Sequence, residues 1–112
     1  MKIAEKTINL NVATEFSRTP GPRFRSEGKF SGEEFRETIL KTRFDQALQE
    51  GAKLHIDLDG GYGYATSFLE EAFGGLARSY DPKLLLETLS FKSDEEPYLV
   101  DDIFGYIRQA RG

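Results

Sequence analysis

The sequence predicts a single α/β domain whose sheet is largely parallel. Segments with strand-like and helix-like hydrophobic periods alternate along the chain, which is the order that βαβ units produce. The chain has 112 residues, the length of one domain, and no internal repeat, low-complexity tract or long linker divides it. Its content of 38% hydrophobic and 30% charged residues is typical of a folded protein with a wet surface. Residues 1–112 are therefore assigned to one domain.

The strands are predicted from apolar residues at every second position, the period of a strand with one face in water. Three runs show this period: Ile8, Leu10 and Val12; Leu54, Ile56 and Leu58; and Leu89 with Phe91. Phe24 and Phe30 predict a short further strand that follows the Pro20-Gly21-Pro22 loop. The predicted order of elements is therefore β(β)αβα(α)βα.

The longer helices are predicted from apolar stripes that follow capping boxes, in which a serine and a glutamate satisfy each other's backbone amides. The boxes pair Ser31 with Glu34, Ser67 with Glu70, and Ser93 with Glu96. Gly51 is expected to end the first helix, and Asp81-Pro82 to begin a short helix at Lys83–Leu86. The three stripes contain Phe35, Ile39, Leu40, Phe44, Ala47 and Leu48; Phe68, Leu69, Ala72, Phe73 and Leu76; and Leu99, Ile103, Tyr106 or Ile107, and Ala110.

Two glycines interrupt the second stripe, at Gly74 and Gly75. Each costs the interior of a helix ~1 kcal/mol relative to Ala. We expect them to mark either close packing against a neighbouring element or an early end of this helix.

Composition excludes several classes of function. The chain has no Cys and one His, so disulfides, thiolate zinc sites, cysteine nucleophiles and multi-histidine metal sites are excluded. Its net charge of -4 argues against a general nucleic-acid binder, since phosphate contacts need a basic face. No apolar run approaches the length of a membrane span, and Met1–Lys6 has no hydrophobic signal region behind it. We expect a cytoplasmic protein without metal or cofactor.

The most informative stretch joins a strand to a helix through the glycine loop at residues 60–65. Ligands of α/β sheets collect at the carboxyl ends of strands, where a helix N-terminus presents free amides. Thr66 and Ser67 open that helix, either as simple N-caps or as the place where an anion or an attached phosphate is stabilised. The loop lacks the lysine of a P-loop, and Thr66 stands where the dinucleotide fingerprint needs its last glycine.

Arginines and carboxylates around this helix are candidate contacts for a partner. Arg23 and Arg25 lie in the Pro/Gly loop and predict either phosphate or carboxylate binding, or a solvated loop. Glu70 and Glu71 lie one turn into the helix and are expected to meet a basic partner. The same predicted surface includes three neighbours in the chain, Gly63, Tyr64 and Phe68.

An enzymatic interpretation would have to use His55 as the base. Asp57 and Asp59 follow it on one face of the strand and could hold a magnesium ion, but Asp-x-Asp is a nonspecific pattern and two solvated carboxylates at a strand end explain it better. A cleft that joins His55, Asp57 and Thr66 would favour an enzyme, whereas a histidine turned away from Thr66 would remove its only base.

Four stretches of the chain carry a resemblance to a known family. The segment from Ala65 to Leu76 resembles the signature of the STAS-like domains of unknown function, small prokaryotic proteins related to the sulfate transporter and anti-sigma factor antagonist fold. Thr19–Arg23, Phe30–Phe35 and Ser93–Pro97 are also similar to that family. The resemblance implies a single domain with a four-stranded, mostly parallel mixed sheet packed with helices.

The same resemblance implies a function in partner switching. In anti-sigma factor antagonists, a Ser or Thr at the start of the helix after the third strand is phosphorylated by a histidine-kinase-like ATPase, and the added charge breaks the complex. That motif reads Asp-Ser-Ser-Gly, and sliding it onto this chain places Thr66 at the phosphorylated position and Ser67 after it. Here Ala65 replaces the acidic residue and Phe68 replaces the glycine, so a kinase that reads the family motif meets a different pattern.

We expect a non-enzymatic regulatory module that docks a protein partner around Thr66, with a histidine-kinase-like ATPase or a sensor domain as the candidates. The alternative is a small-molecule or nucleotide binder that uses the same helix N-terminus together with Arg23 and Arg25. The sequence leaves open the oligomeric state, the partner's identity and whether Thr66 or Ser67 is phosphorylated.

Overall fold

A three-stranded parallel sheet forms the centre of the described part of the chain. The computed structural model describes residues 6–110. The strands are β1 (Thr7–Asn11), β2 (Lys53–Asp57) and β3 (Leu89–Lys92), in the order β1-β2-β3. Leu10 pairs with Ile56, and Ile56 with Phe91, so β2 is the central strand.

The described residues form five α-helices beside this sheet, and two of them contain a π-helical turn. Helix α1 is Val12–Glu15, α4 is Pro82–Thr88 and α5 is Tyr98–Gln109. Helix α2 covers residues 32–50 as Gly32–Phe35, the π turn Arg36–Leu40 and Lys41–Glu50. Helix α3 covers residues 66–79 as Thr66–Leu69, the π turn Glu70–Gly74 and Gly75–Ser79.

The sheet buries one face and leaves the other polar. Crossovers between parallel strands are right-handed. Because these three strands lie in chain order, right-handed crossovers place the intervening helices on the same side of the sheet. Leu10, Leu54 and Ile56 therefore point into the core and are at most 1% exposed. The alternate positions form two rows across the open face: Asn9, His55 and Ser90, then Asn11, Asp57 and Lys92.

The strand predicted around Phe24 and Phe30 is absent from the described residues, so the prediction of about four strands is wrong for this part of the chain. Arg25–Glu27 form a short 3-10 helix, and Phe30 has a φ of 56°. A left-handed residue of this kind ends an extended run. The loop is instead folded on itself, with the Gly21 amide donating to the Phe30 carbonyl at 2.8 Å and the Gly32 amide to Pro22 at 2.9 Å.

The predicted helix ends are partly confirmed. The Ser31 hydroxyl accepts the Glu34 amide at 3.0 Å, Gly51 ends α2 in the left-handed conformation at φ 63°, and Pro82 is the first residue of α4. Helix α3, however, has Ala65 at its N-cap with no side-chain cap, so the predicted capping by Thr66 and Ser67 is wrong. The box at Ser93 is wrong as well, because this hydroxyl donates to the Glu96 carbonyl at 2.7 Å and α5 begins only at Tyr98.

Close packing, and not an early helix end, explains the glycine pair in α3. The helix continues through Gly74 and Gly75 to Ser79. A Cβ built on Gly75 would overlap the guanidinium of Arg36 and lie 3.1 Å from its Cδ. The absent side chain at Gly75 therefore makes the space that the long side chain from α2 occupies.

Within residues 6–110, no helix is both long and apolar enough to cross a membrane. Met1–Glu5, the start of the segment considered for a signal, lies outside the described residues.

Candidate functional site

The carboxyl end of β2 leads into a loop that is fastened to the segment after α1. Gly60 and Gly63 have φ angles of 95° and 120°, which an L side chain rarely adopts. The Tyr62 amide donates to the Arg18 carbonyl at 2.8 Å, and Arg18 Nη1 donates to the Gly60 carbonyl at 3.0 Å. These reciprocal bonds hold the loop in one place. We call Arg18, residues 60–65 and Thr66 together the Thr66 surface.

Much of the Thr66 surface is open to solvent, since Arg18, Gly60, Tyr62, Ala65 and Thr66 are all exposed. Thr66, the first residue of α3, is exposed, and Ser67 behind it is half-buried. Tyr62, at the tip of the loop, is 86% exposed. An aromatic side chain this exposed leaves a large apolar area in contact with water, and such residues frequently anchor protein interfaces. Sequence reasoning missed Tyr62, although its position between two loop glycines was a usable signal.

Beneath the Thr66 surface lies a cluster of aromatic rings. Phe68 is fully buried, with ring centroids 5.8 Å from Phe35 and 6.2 Å from Phe16. Tyr64 packs on Phe68 at 5.9 Å and donates its hydroxyl to the Leu58 carbonyl at 3.0 Å. Burial, followed by the charge of Asp57, raises the pKa of Tyr64, so its phenol stays neutral. The prediction that Phe68 contacts a partner is therefore wrong: it supports the surface from inside.

The predicted cationic pair is already engaged in ion pairs. Arg23 binds Glu70, and its Nη1 lies 3.4 Å from Glu71 Oε1. Arg25 Nε donates to Glu37 at 3.1 Å. Both guanidinium groups already have a carboxylate partner, which offsets their charge and weakens their attraction for an incoming anion.

The two predicted carboxylates belong to the same network. Glu70 also pairs with Arg78, and Glu71 with Arg36. Glu71 is only 8% exposed, so the prediction that it meets a basic partner is wrong. Burial works to raise the pKa of Glu70, but the bond from Arg23 and the charge of Arg78 outweigh burial and lower it. The network ties the Pro/Gly loop to α2 and α3.

Asp59 is a structural junction next to the loop. It lies two residues beyond the end of β2, and its amide donates to Asp57 Oδ1 at 2.9 Å. Its own carboxylate accepts the Lys92 ammonium at 2.7 Å and the amides of Asp94 and Glu95 at 3.0 and 2.9 Å. These bonds, the Lys92 bond above all, lower the pKa of Asp59 to about 2. Among the described residues, no group of three His, Cys, Asp or Glu side chains is arranged to hold a metal ion.

His55 lies on the open polar face of the sheet. Its Nδ1 is 2.8 Å from the Ser90 hydroxyl on the neighbouring strand. His55 and Asp57 line a groove of about 270 Å³ together with Asn9, Asn11 and Lys92, and Thr66 is not part of its wall. A second cavity, of about 240 Å³, lies between the end of α2 and α4, beside Gly51 and Thr88. Neither of these two cavities joins His55, Asp57 and Thr66.

The comparisons with known proteins agree with this architecture. A family model, that of the STAS-like domain of unknown function (DUF4325), matches residues 31–99. The match runs from the cap of α2 to the start of α5 and includes β2, the glycine loop, Thr66 and β3. No curated protein and no solved structure matches the chain. Because the family model covers more than half of its residues, the chain belongs to the family of STAS-like domains of unknown function.

Proposed function

We propose that the chain is a non-enzymatic regulatory module that docks a protein partner through the Thr66 surface. The observation that carries this proposal is the exposure of Tyr62 at 86%, on a loop that hydrogen bonds hold at Gly60 and Tyr62 and that leads directly into the exposed Thr66. A preformed surface loses little conformational freedom when it binds, which favours affinity. The STAS-like fold is compatible with such a module.

A histidine-kinase-like ATPase or a sensor domain is the partner that we propose, and phosphorylation of Thr66 or Ser67 is the proposed switch. A phosphate adds a charge of about -1.5 to -2. At a docking surface this charge would have to lose its hydration when the partner binds, so it would weaken docking. Thr66 is the better acceptor, because its side chain is exposed and Ser67 is half-buried.

A small-molecule or nucleotide ligand at the same helix end is the second candidate. It is less well supported, because Arg23 and Arg25 are paired with Glu70 and Glu37. The two cavities of about 240 and 270 Å³ also lie away from Thr66.

Two tyrosine variants test the docking surface. The immobilised chain is used to capture proteins from its native lysate with ATP present, and the recovered proteins are quantified by mass spectrometry. Tyr62→Ala is expected to lose a partner that the unchanged chain retains. Tyr98→Ala is the matched control, since this tyrosine is 59% exposed and lies at the start of α5. A partner that is lost equally from both variants, or from neither, would count against the Thr66 surface.

A thermal-shift screen with nucleotides distinguishes the second candidate, a small-molecule or nucleotide binder, from a module that docks a protein. A ligand that binds only the folded chain raises the melting temperature by mass action. No shift is expected if docking of a protein is the function, whereas a shift that Arg23→Ala abolishes would favour the ligand.

A further inference from the structure

Strand β1 is one of the two edge strands of the described sheet, and β3 is the other. The Lys53 amide donates to the Lys6 carbonyl at 2.9 Å, so the backbone groups of Lys6 point toward β2. The amide and carbonyl groups of successive residues point to opposite sides of a strand. Those of Ile8 and Leu10 therefore also point toward β2. The amides and carbonyls of Thr7, Asn9 and Asn11 point outward, where a further strand would add.

Two side chains occupy this edge. Arg43 reaches from α2 and donates from Nη1 to the Asn9 carbonyl at 3.3 Å. Glu15, in α1, accepts the Asn11 amide on Oε2 at 2.9 Å. Arg43 and Glu15 also bind each other, and each is about one-third exposed. We call this pair the edge bridge.

We propose that the edge bridge blocks strand addition, and that β1 pairs with β1 of a second copy of this chain when the bridge is removed. In an antiparallel pair centred on Asn9, the two Asn9 residues exchange both hydrogen bonds, and Asn11 faces Thr7 of the second copy. That register uses the Asn9 carbonyl and the Asn11 amide. These are the two backbone groups that the edge bridge occupies.

The composition of β1 explains why the second copy is the occupant. Thr7–Asn11 contains no charged residue, so two copies meet without repulsion. A two-fold axis normal to the sheet keeps Ile8 and Leu10 of both copies on the buried side and the three polar side chains on the open side. Unprotected edges of this kind are templates for pairing, and natural proteins cover them with charged side chains.

The test removes the bridge and measures association. The full chain carrying Glu15→Ala and Arg43→Ala is compared with the unchanged chain by sedimentation across a concentration series. A doubling of molar mass is expected, with slower hydrogen exchange at the Thr7 and Asn9 amides. The control variant carries Arg25→Ala and Glu37→Ala, which removes a more exposed ion pair away from β1 and is expected to stay monomeric.

A proline variant shows whether the edge itself pairs. Asn9→Pro, added to the bridge-free variant, removes an outward amide at a position where an edge strand accepts proline, and is expected to restore the monomer. Three results would overturn the proposal: a bridge-free chain that stays monomeric, association that survives Asn9→Pro, or an unchanged chain whose Asn9 amide is already protected from exchange.

Slow hydrogen exchange at the Leu54 and Ile56 amides verifies that each variant is folded. If the double variant does not fold, Arg43→Met is used, which keeps an apolar side chain and frees the Asn9 carbonyl that the Asn9 amide of a second copy needs, and an unchanged Asn9 exchange rate would again refute the proposal.

Discussion

At the scale of single residues, the contact between Arg36 and Glu71 explains why helix α3 contains Gly75, a residue that destabilises a helix interior. The Arg36 side chain pairs with the Glu71 carboxylate and donates to its backbone carbonyl at 2.8 Å, and both side chains are less than one-fifth exposed. A buried ion pair stabilises a fold only when its geometry and its additional hydrogen bonds are good. Gly75 provides that geometry by leaving room for the guanidinium.

Gly75→Ala is therefore expected to destabilise the protein, although alanine is the better helix former. The added methyl would displace Arg36, and forced repacking of this kind costs about 1–3 kcal/mol. Equilibrium unfolding in urea measures the change. Gly105→Ala is the control: nothing lies within 4 Å of its Cβ, so the same substitution in α5 should stabilise by about 0.5–1 kcal/mol. Equal gains at both positions would contradict the role of Gly75.

At the scale of elements, Asp59 connects the two loops that follow β2 and β3. One carboxylate holds the Lys92 ammonium at the end of β3 and the amides of Asp94 and Glu95 in the segment before α5. The same segment reaches back, since Glu95 Oε1 accepts the Gly60 amide at 2.8 Å. The position of the glycine loop therefore depends on the charge of Asp59.

This dependence has a defined pH window. The pKa of Asp59 is about 2 in the folded chain and 3.8 without the fold. Because folding lowers this pKa, the stabilisation is complete above about pH 4 and is lost as the pH falls through about 2. Asp59→Asn should therefore lower the melting temperature at neutral pH and by much less at pH 2. Gln49→Ala, which removes no ionisable group from an exposed position of α2, should change the melting temperature equally at both pH values. A pH-independent difference for Asp59→Asn would contradict the argument.

Local patterns predicted the strands and helices well, and long-range contacts account for the errors. Period-two alternation identified β1, β2 and β3, because one face of each is buried. The prediction of an extra strand was wrong because Phe30 has a left-handed φ, which no local sequence pattern indicates. Arg23 seemed available in sequence, but its partner Glu70 is 47 residues away. Thr66 was expected to cap α3, yet the helix begins one residue earlier than that role requires.

At the scale of the whole molecule, the docking surface that we propose lies at one end of a sheet with helices on one face. The helices cover one face, the other face presents polar rows, and the carboxyl end of β2 presents the Thr66 surface. The aromatic rings of Phe16, Phe35 and Phe68 join this surface to the core. A partner would therefore meet a fixed shape, and a charge placed at Thr66 would act on docking without unfolding the domain.

The most direct test of this account compares charge at Thr66 with charge elsewhere on the helices. Partner recovery from native lysate is measured for Thr66→Glu, Thr66→Ala and Thr42→Glu, the last at an exposed threonine of α2. The account predicts that Thr66→Glu alone loses the partner. Equal recovery by all three variants would contradict the proposal that the Thr66 surface is a charge-sensitive docking site.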